Sequence, residues 1–553
     1  MPRRTGPGPA AGGGFSPRRA CWPGPTSCCR NPPSPRLRPP PLRAPRPRGA
    51  SPARREGRQV ETFSPAHGAD AGAASGVTSG AAPGAAARAG GGAGYSAAAL
   101  RQLDHCNKCG FCLPACPTFI ETGLEMASPR GRLAIAEEVM AGRMPLSDYV
   151  AQHMYLCLGC RACEVACPSG VEYDRVLMDT RHLLNRAGIE APGSRGLPRF
   201  LLNTVADPDR LRLLKAAVRA AEALGLRSLA RRPAIRRLLP ARLRDLESML
   251  PDQAEQVRAL KAPQTPNGGS AAGTGSAATA PAAEAAAGTA AASTPAVTVA
   301  FFPGCVQEAL FQGTNARTVR VLEHFGARVV PAPGFGCCGA LHGHSGDLHR
   351  ARELARRNIE AFERSGARYL VNNAGGCGAF LKEYPRLFED DPDWLPRAEA
   401  FAARVRDASE MLLELPGPPG WQGVRPTSGG PAAGSGPRLV VTYQDSCHLR
   451  NVQRVWRQPR DILSRLPGVR YVELPGADQC CGSAGIYNVT HPDMSLAILD
   501  RKMDGVKAVN PDVIVVANPG CQMQMLLGVD RHGLGGKVRV MHLIDLVAEQ
   551  LGL

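Results

Sequence analysis

Two short cysteine runs constrain this chain more than any other feature. Cys106-x2-Cys109-x2-Cys112-x3-Cys116-Pro117 recurs as Cys157-x2-Cys160-x2-Cys163-x3-Cys167-Pro168. The x2 spacing lets three successive thiolates wrap one iron–sulfur cubane, and the small residues Gly110, Gly159 and Ala162 permit the tight backbone this requires. The fourth cysteine of each run then points away and ligates the other cluster, as in two-cluster ferredoxins. The expected ligand sets are Cys106, Cys109, Cys112 and Cys167 for one 4Fe–4S cluster, and Cys116, Cys157, Cys160 and Cys163 for a second. Such crossing predicts two clusters lying close together. Pro117 and Pro168 restrict the backbone beyond each last ligand. Structural zinc is the rival reading of paired CxxC units. A tetrahedral zinc site takes four ligands, however, and leaves the regular third and fourth cysteines without a role. Between the runs, Ser128-Pro129-Arg130-Gly131-Arg132-Leu133 enters a helix marked by Leu133, Ile135 and Val139. Arg130 and Arg132 either offset cluster charge and tune its potential, or are solvated arginines of a helix start.

The remaining cysteines are also grouped. Of 19 in 553 residues, eight lie in 106–167, eight in 305–521, and three (Cys21, Cys28, Cys29) near the N-terminus. A secreted disulfide scaffold would be short and led by a signal peptide. Here Thr5–Ser16 is Gly/Pro/Ala rather than an apolar segment, and no stretch approaches about 18 uninterrupted apolar residues. The expectation is a reducing, cytoplasmic setting with no transmembrane helix. The net charge of +18 resembles a nucleic-acid signal until it is located: residues 1–95 hold 14 arginines against Glu56, Glu61 and Asp70, or +11 of that total. An Arg/Pro/Gly/Ala segment of this kind buries too little apolar surface to order itself; it reads as a dispensable extension with no nucleic-acid partner expected, a functional RNA- or membrane-binding arm being the alternative.

The expected organisation is a disordered tail at 1–95, an α-helical two-cluster ferredoxin-type domain at 96–250, an Ala/Gly/Thr/Ser/Pro linker at 262–296, and two α/β cysteine-rich domains. These occupy 297–415 and 438–553, separated by a Gly/Pro linker at 416–437. The fold class is therefore multidomain α+β. Leu211, Leu214, Val218 and Ala221 predict a helix over Leu211–Leu226.

The last two domains repeat each other. Each opens on an apolar strand running into a cysteine: Val297–Phe302 into Cys305, and Leu439–Tyr443 into Cys447. A helix, a second strand and a Cys-Cys-Gly follow (Cys337-Cys338-Gly339; Cys480-Cys481-Gly482), then another helix and a buried-type strand leading to Gly-Cys at Cys377 and Cys521. The intervals Cys305–Cys337 and Cys447–Cys480 are 32 and 33 residues; Cys338–Cys377 and Cys481–Cys521 are 39 and 40. Two intervals agreeing within one residue mark an internal repeat. Strand carboxyl ends are where α/β layers bind ligands, so Cys305, Cys337, Cys338 and Cys377 predict one cluster, metal or redox-thiol site. Cys447, Cys480, Cys481 and Cys521 predict its twin. Buried cysteines acting as small hydrophobes are the plainer alternative. His448 beside Cys447 is a candidate ligand or proton carrier, with His342, His344 and His491 weaker. No G-x-G-x-x-G opens a helix after a strand and no phosphate-binding loop is present, so neither flavin nor NAD is expected in this chain, and no catalytic residue is assigned.

These residues resemble the iron–sulfur subunit of bacterial glycolate oxidase (glycolate dehydrogenase) over roughly 100–553. The stretches that carry the resemblance are His105–Pro117, Pro129–Arg132, Gly336–Ala340, Gly376–Phe380, Cys480–Tyr487 and Ala517–Gln522. The iron–sulfur subunits of lactate utilisation, of anaerobic glycerol-3-phosphate dehydrogenase and of heterodisulfide reductase share the plan. The last uses a further cysteine in a terminal CxxC to hold an unusual cluster. Here Ala374, Phe380, Asn518 and Gln524 occupy the positions three residues either side of Cys377 and Cys521. The resemblance alone therefore assigns no further cluster to either half. It implies an electron carrier within a complex whose FAD-binding subunits oxidise glycolate to glyoxylate. Its electrons would go to a membrane quinone or another acceptor, through peripheral contact with the inner face of the cytoplasmic membrane. Lactate as the substrate, a thiol–disulfide reductase working without flavin partners, and a zinc-stabilised binding protein are the alternatives.

Overall fold

The computed structural model describes residues 94–194, 196, 199–200, 203–204, 207–261, 297–421 and 438–553. Residues 1–93 of the expected tail with Cys21, Cys28 and Cys29, the 262–296 linker and residues 422–437 lie outside the described residues.

The chain opens on a helical body. Ser96 caps helix Ala97–His105 by accepting from Ala99 N, satisfying an amide the first turn leaves without a partner. Tyr95 just before it is buried, its hydroxyl 3.0 Å from Thr180 Oγ1, so this part of the expected tail packs with the folded chain. Helix Pro129–Met140 starts on a Ser128 cap and a proline at its first position. Gly131 in its first turn is obligatory, because a Cβ there would lie 2.1 Å from Glu125 O. Helices Asp148–Tyr155 and Tyr173–Arg186 close the body over a core that includes Leu133, Val150, Met154, Val176, Leu177 and Leu184.

A succession of further helices follows. The predicted Leu211–Leu226 helix is observed as Pro208–Ala223, then a break at Gly225 (φ +67°) and a new helix Leu226–Ala230. Helices Pro233–Leu238, Ala241–Ser248 and Gln253–Lys261 come next. They span both cysteine-rich halves. Met249 joins the core of the second half, while Gln256 Oε1 accepts from Gly313 N (3.0 Å) in the first.

Each half is a four-stranded parallel sheet. In the first, β1 (Val297–Phe302), β2 (Ala327–Val330), β3 (Tyr369–Asn372) and β4 (Val405–Asp407) are ordered β2-β1-β3-β4. In the second, β5 (Leu439–Tyr443), β6 (Val469–Tyr471), β7 (Val513–Val516) and β8 (Arg539–His542) take the order β6-β5-β7-β8. Strand β7 is buried at every position, as a parallel strand covered on both faces must be. The edge strands β4 and β8 are the elements the sequence pattern did not reveal. They read Val-Arg-Asp and Arg-Val-Met-His, too short and polar to register as strands.

The two halves share one core. Val299, Phe325 and Val371 of the first pack in the same cluster as Val441, Tyr443, Val513 and Leu546 of the second. The last helix of the chain, Leu543–Leu551, lies on helix Gln312–His324, where Thr314 Oγ1 donates to Asp545 (2.8 Å) and Arg317 pairs with it (3.0 Å). Trp421, within the expected 416–437 linker, is buried in this core with its ring 5.0 Å from Phe325.

Candidate metal centre

The two runs fold alike. In the first, the residues before and after the second cysteine, Lys108 (φ 52°) and Gly110 (φ 90°), are left-handed. In the second the same positions, Gly159 (φ 63°) and Arg161 (φ 59°), are left-handed too. Each run thus places a glycine at one of the two positions and forces a long side chain into the other, at a cost of about 1 kcal/mol or more. Arg161 is 7% exposed and held by ion pairs to Glu164 (2.8 Å) and Glu383.

Cys106 ends helix Ala97–His105, Cys109 is exposed, Cys112 is half-buried, and Cys116 is buried at the start of helix Pro117–Thr122. In the second run Cys157 follows helix Asp148–Tyr155, Cys163 lies in helix Ala162–Val165 and Cys160 is buried. Cys116 stands close enough to Cys160 and Cys163 to push both thiols further above their ordinary range, although burial is the main cause. Near Cys167, Ser169 accepts from Asn107 of the first run (2.9 Å). The runs are therefore interleaved in space.

Around Cys116 and Cys157 two buried donors lack partners. Arg132, 1% exposed, donates from Nε to His153 O (2.8 Å) and from Nη2 to Thr118 Oγ1 (3.1 Å), while Nη1 is buried with no partner. Burial opposes its charge, but Cys157, Tyr173 and Cys116 outweigh it and hold the guanidinium above its ordinary value. The Tyr173 hydroxyl is likewise buried and unpartnered, flanked by Cys157 and Cys163. Buried donors of this kind need acceptors, and the sulfurs of an electron-rich cluster supply them. The residues present fit an iron–sulfur cluster. Among the described residues, no three His, Cys, Asp or Glu draw together tightly enough for a single metal ion. The two arginines of Pro129–Arg132 both lie beside run cysteines, Arg130 near Cys109 and Cys112 and Arg132 near Cys116 and Cys157, but they differ in burial. Arg130 is at the surface, bonded to Glu125 (2.5 Å) and Lys108 O (3.0 Å), whereas Arg132 is the buried cation.

In each half the four cysteines gather at the strand carboxyl ends. Cys305 and Cys447 begin short helices, and Cys377 and Cys521 lie in the first turns of helices Gly375–Lys382 and Pro519–Arg531 rather than on strands. Cys305 Sγ is 3.5 Å from Cys337 Sγ; Cys338 adjoins both Cys337 and Cys377. The second half repeats this, Cys447 meeting Cys480 and Cys481 meeting Cys521. Burial pulls the ammonium of Lys502 down to about 8, against the opposite pull of Cys481 and Cys480, and Nζ donates to Gly476 O.

The second run docks directly on the second half. Asn451 Nδ2 donates to Cys160 O (2.8 Å), His448 Nε2 to Gly159 O (2.9 Å), and Tyr487 OH to Leu156 O (3.0 Å). Cys160 neighbours both Cys447 and Cys480. His344 is half-buried with its ring 5.2 Å from that of His448, and desolvation lowers it to about 3. His342 pairs with Asp347 (3.2 Å), and His491 stacks on Tyr487. Tyr173, Arg161, Asn451 and Lys502 carried no spacing signal in the sequence, and only the fold assembles them.

Interleaved cysteine runs on a helical body, joined to two repeated thiol-bearing α/β layers, define an iron–sulfur electron-transfer protein. Residues 102–171 match the 4Fe–4S dicluster domain, 299–382 and 441–526 the cysteine-rich domain, and 193–250 the linker region of the glycolate oxidase iron–sulfur subunit. The chain is 40% identical over 82% of its length, and 94% of the relative's, to the probable glycolate oxidase iron–sulfur subunit of Bacillus subtilis (strain 168). It is 31% identical over 81% of its length, and 93% of the relative's, to the glycolate oxidase iron–sulfur subunit of Escherichia coli (strain K12). Lactate utilization protein A of an Exiguobacterium species is 31% identical over 45% of this chain and 97% of its own. The chain belongs to the glycolate oxidase iron–sulfur subunit family.

Proposed function

We propose that this chain is the electron-transfer subunit of a glycolate-oxidising complex. In this reading FAD-binding partner subunits convert glycolate to glyoxylate, and the present chain conducts the electrons to a quinone or other acceptor at the cytoplasmic face of the membrane. Cys106, Cys109, Cys112 and Cys167 hold one 4Fe–4S cluster; Cys116, Cys157, Cys160 and Cys163 hold the other. When bound, the clusters supply reversible one-electron chemistry. The chain's own residues do the rest: Arg132 and Tyr173 offer buried donors beside Cys116 and Cys157, and the packing of Leu158, Tyr487 and Ile498 around Cys160 keeps water away. The thiols of each half (Cys305, Cys337, Cys338 and Cys377; Cys447, Cys480, Cys481 and Cys521) serve as a further redox or metal site.

One observation carries this reading. Cys160 lies next to Cys447 and Cys480, so the redox groups form a continuous series rather than isolated sites. Glycolate is favoured over lactate because similarity to the glycolate oxidase subunits spans about twice as much of the chain. The test is anaerobic purification alone and with the flavoprotein subunits, followed by iron, sulfide and flavin analysis and dye reduction with glycolate or lactate. The complex should reduce dye with glycolate and the isolated, flavin-free chain should not. Glycolate-dependent reduction by the isolated chain, or a lactate preference in the complex, would overturn it.

A further inference from the structure

The helical excursion between the iron–sulfur body and the first sheet is rich in arginine and poor in acids. Residues 224–244 contain seven arginines and no acidic residue. Their neighbours are leucines that the fold does not bury: Leu224 is 75% exposed, Leu238 84% and Leu243 52%. Single exposed leucines are ordinary, but a string of them interspersed with arginine is not.

The base of the excursion is pinned to the protein. Arg231 pairs with Glu247 (2.6 Å), and Arg236 reaches Asp530 (2.5 Å), to which Ser248 Oγ also donates (2.9 Å). Next to these pinned residues in the chain, Arg232 and Arg237, and Arg242 beyond them, are exposed and without an acidic partner among the described residues. A surface that keeps three cations unpaired beside bare leucines complements an anionic apolar boundary. A protein partner fits less well, because interface centres favour aromatic residues and residues 201–250 contain no Phe, Tyr or Trp. Arginines that extend their heads to phosphates while leucines enter the acyl boundary are how short amphipathic helices lie on a bilayer. No helix among the described residues is long and apolar enough to cross a membrane, so any membrane contact made by them is a surface one.

We infer that Arg232, Arg237 and Arg242 with Leu224, Leu238 and Leu243 form a docking surface for an anionic lipid bilayer. This deepens the proposed delivery of electrons at a membrane and rests on it for its purpose, but lipid binding is measurable without any substrate. The full-length chain is floated with phosphatidylcholine vesicles and with equimolar phosphatidylcholine–phosphatidylglycerol vesicles, beside two variants. One is Arg232→Gln/Arg237→Gln/Arg242→Gln and the other is Leu224→Ser/Leu238→Ser; iron content and reduction by dithionite confirm that both are folded. Wild type should bind only the anionic vesicles. The arginine variant should lose about a hundredfold in partitioning, from the attraction of three cations to an anionic surface. The serine variant should also weaken, with electron transfer to a soluble dye unchanged in both. Binding that persists in the two variants, as it would if residues 1–93 were responsible, overturns the inference. So does equal binding to both vesicle types, or no vesicle binding together with loss of the flavoprotein subunits from the arginine variant. Failure of glycolate oxidation in the complex would refute the proposed function while leaving the lipid result in place.

Discussion

Replacing Arg132 by methionine removes a cation buried beside Cys116 and Cys157 while keeping most of its volume. An electron added to a cluster held by these thiolates raises its negative charge, and a nearby guanidinium stabilises that added charge. Taking about 7 Å between guanidinium and cluster centre and an effective dielectric of about 20, the interaction is roughly 2.4 kcal/mol. For a one-electron couple, at about 59 mV per 1.4 kcal/mol, that is a fall of about 100 mV in reduction potential. The sign is fixed: losing the cation makes reduction harder. Arg132→Lys keeps the charge but cannot reach His153 O, Thr118 Oγ1 and the thiols together, so its potential should lie between wild type and methionine.

The assay is an EPR-monitored potentiometric titration of anaerobically purified protein, which resolves two clusters by their signals. One midpoint should fall by about that amount in Arg132→Met and the other should hold, with iron content intact. Arg130→Gln, changing a solvent-screened arginine paired with Glu125, should move either midpoint less. The reasoning fails if both midpoints of Arg132→Met match wild type at full iron content, or if the potential rises. Loss of iron from methionine and lysine variants alike would show instead that Arg132 acts in assembly.

Three further outcomes follow from the geometry. Cys116→Ser should alter the EPR signal in the same way as Cys160→Ser, and Cys167→Ser in the same way as Cys109→Ser; the reverse pairing would mean that each run holds its own cluster. Cys480→Ser should perturb the signal of the cluster nearest Cys160, and Cys337→Ser should leave both signals unchanged, because only the second half's thiols adjoin a run. Asp407, buried with Oδ2 unpartnered, is raised to about 6 mainly by burial. Its penalty therefore builds as pH rises from about 4 to 6, reaches roughly 3 kcal/mol above that, and is relieved by Asp407→Asn, whose amide oxygen keeps the cap to Ser409. Thermal unfolding should show the variant more stable at neutral pH, with the gap narrowing towards pH 5; a gap independent of pH would refute the assignment.

Much of the fold was legible because covalent spacing and hydrophobic period are local. Strands β1, β3 and β5 begin and end where their apolar runs do, and the repeat of 32–33 and 39–40 residues reports one architecture used twice. The edge strands β4 and β8 escaped because three or four residues that mix polar and apolar side chains carry no period. The break at Gly225 escaped because Leu226 continues the helical spacing across it. At the site, cysteine positions could be read directly, but their surroundings could not. Nothing in Pro129–Arg132 distinguishes Arg130 in solvent from Arg132 in the core; that depends on which face of the helix meets helices Asp148–Tyr155 and Tyr173–Arg186. Tyr173 and Asn451 reach the runs from distant segments, and such meetings are properties of packing alone.

The repeated halves are alike in sequence and sheet order, but their thiols differ in surroundings. Cys447 and Cys480 face Cys160, with Asn451, His448 and Tyr487 all bonded to the second run's backbone. The corresponding thiols of the first half, Cys305 and Cys337, pack instead with Leu354 and are closed over by Leu211 and Leu341. At the other end of the series Cys109 is exposed and Phe111 beside it is 64% exposed. A repeated pair placed symmetrically about one electron carrier would offer two equivalent neighbours. Here Cys447 and Cys480 adjoin Cys160 while Cys305 and Cys337 pack among apolar side chains, so under the proposed function the second half is the nearer neighbour of the cluster held by Cys160. The repeat supplies the shared core that fixes the geometry; the helical body meets both halves, through Arg161–Glu383 and Arg181 to His344 O on the first and through Asn451, His448 and Tyr487 on the second, but it is the second half's thiols that it sets beside Cys160.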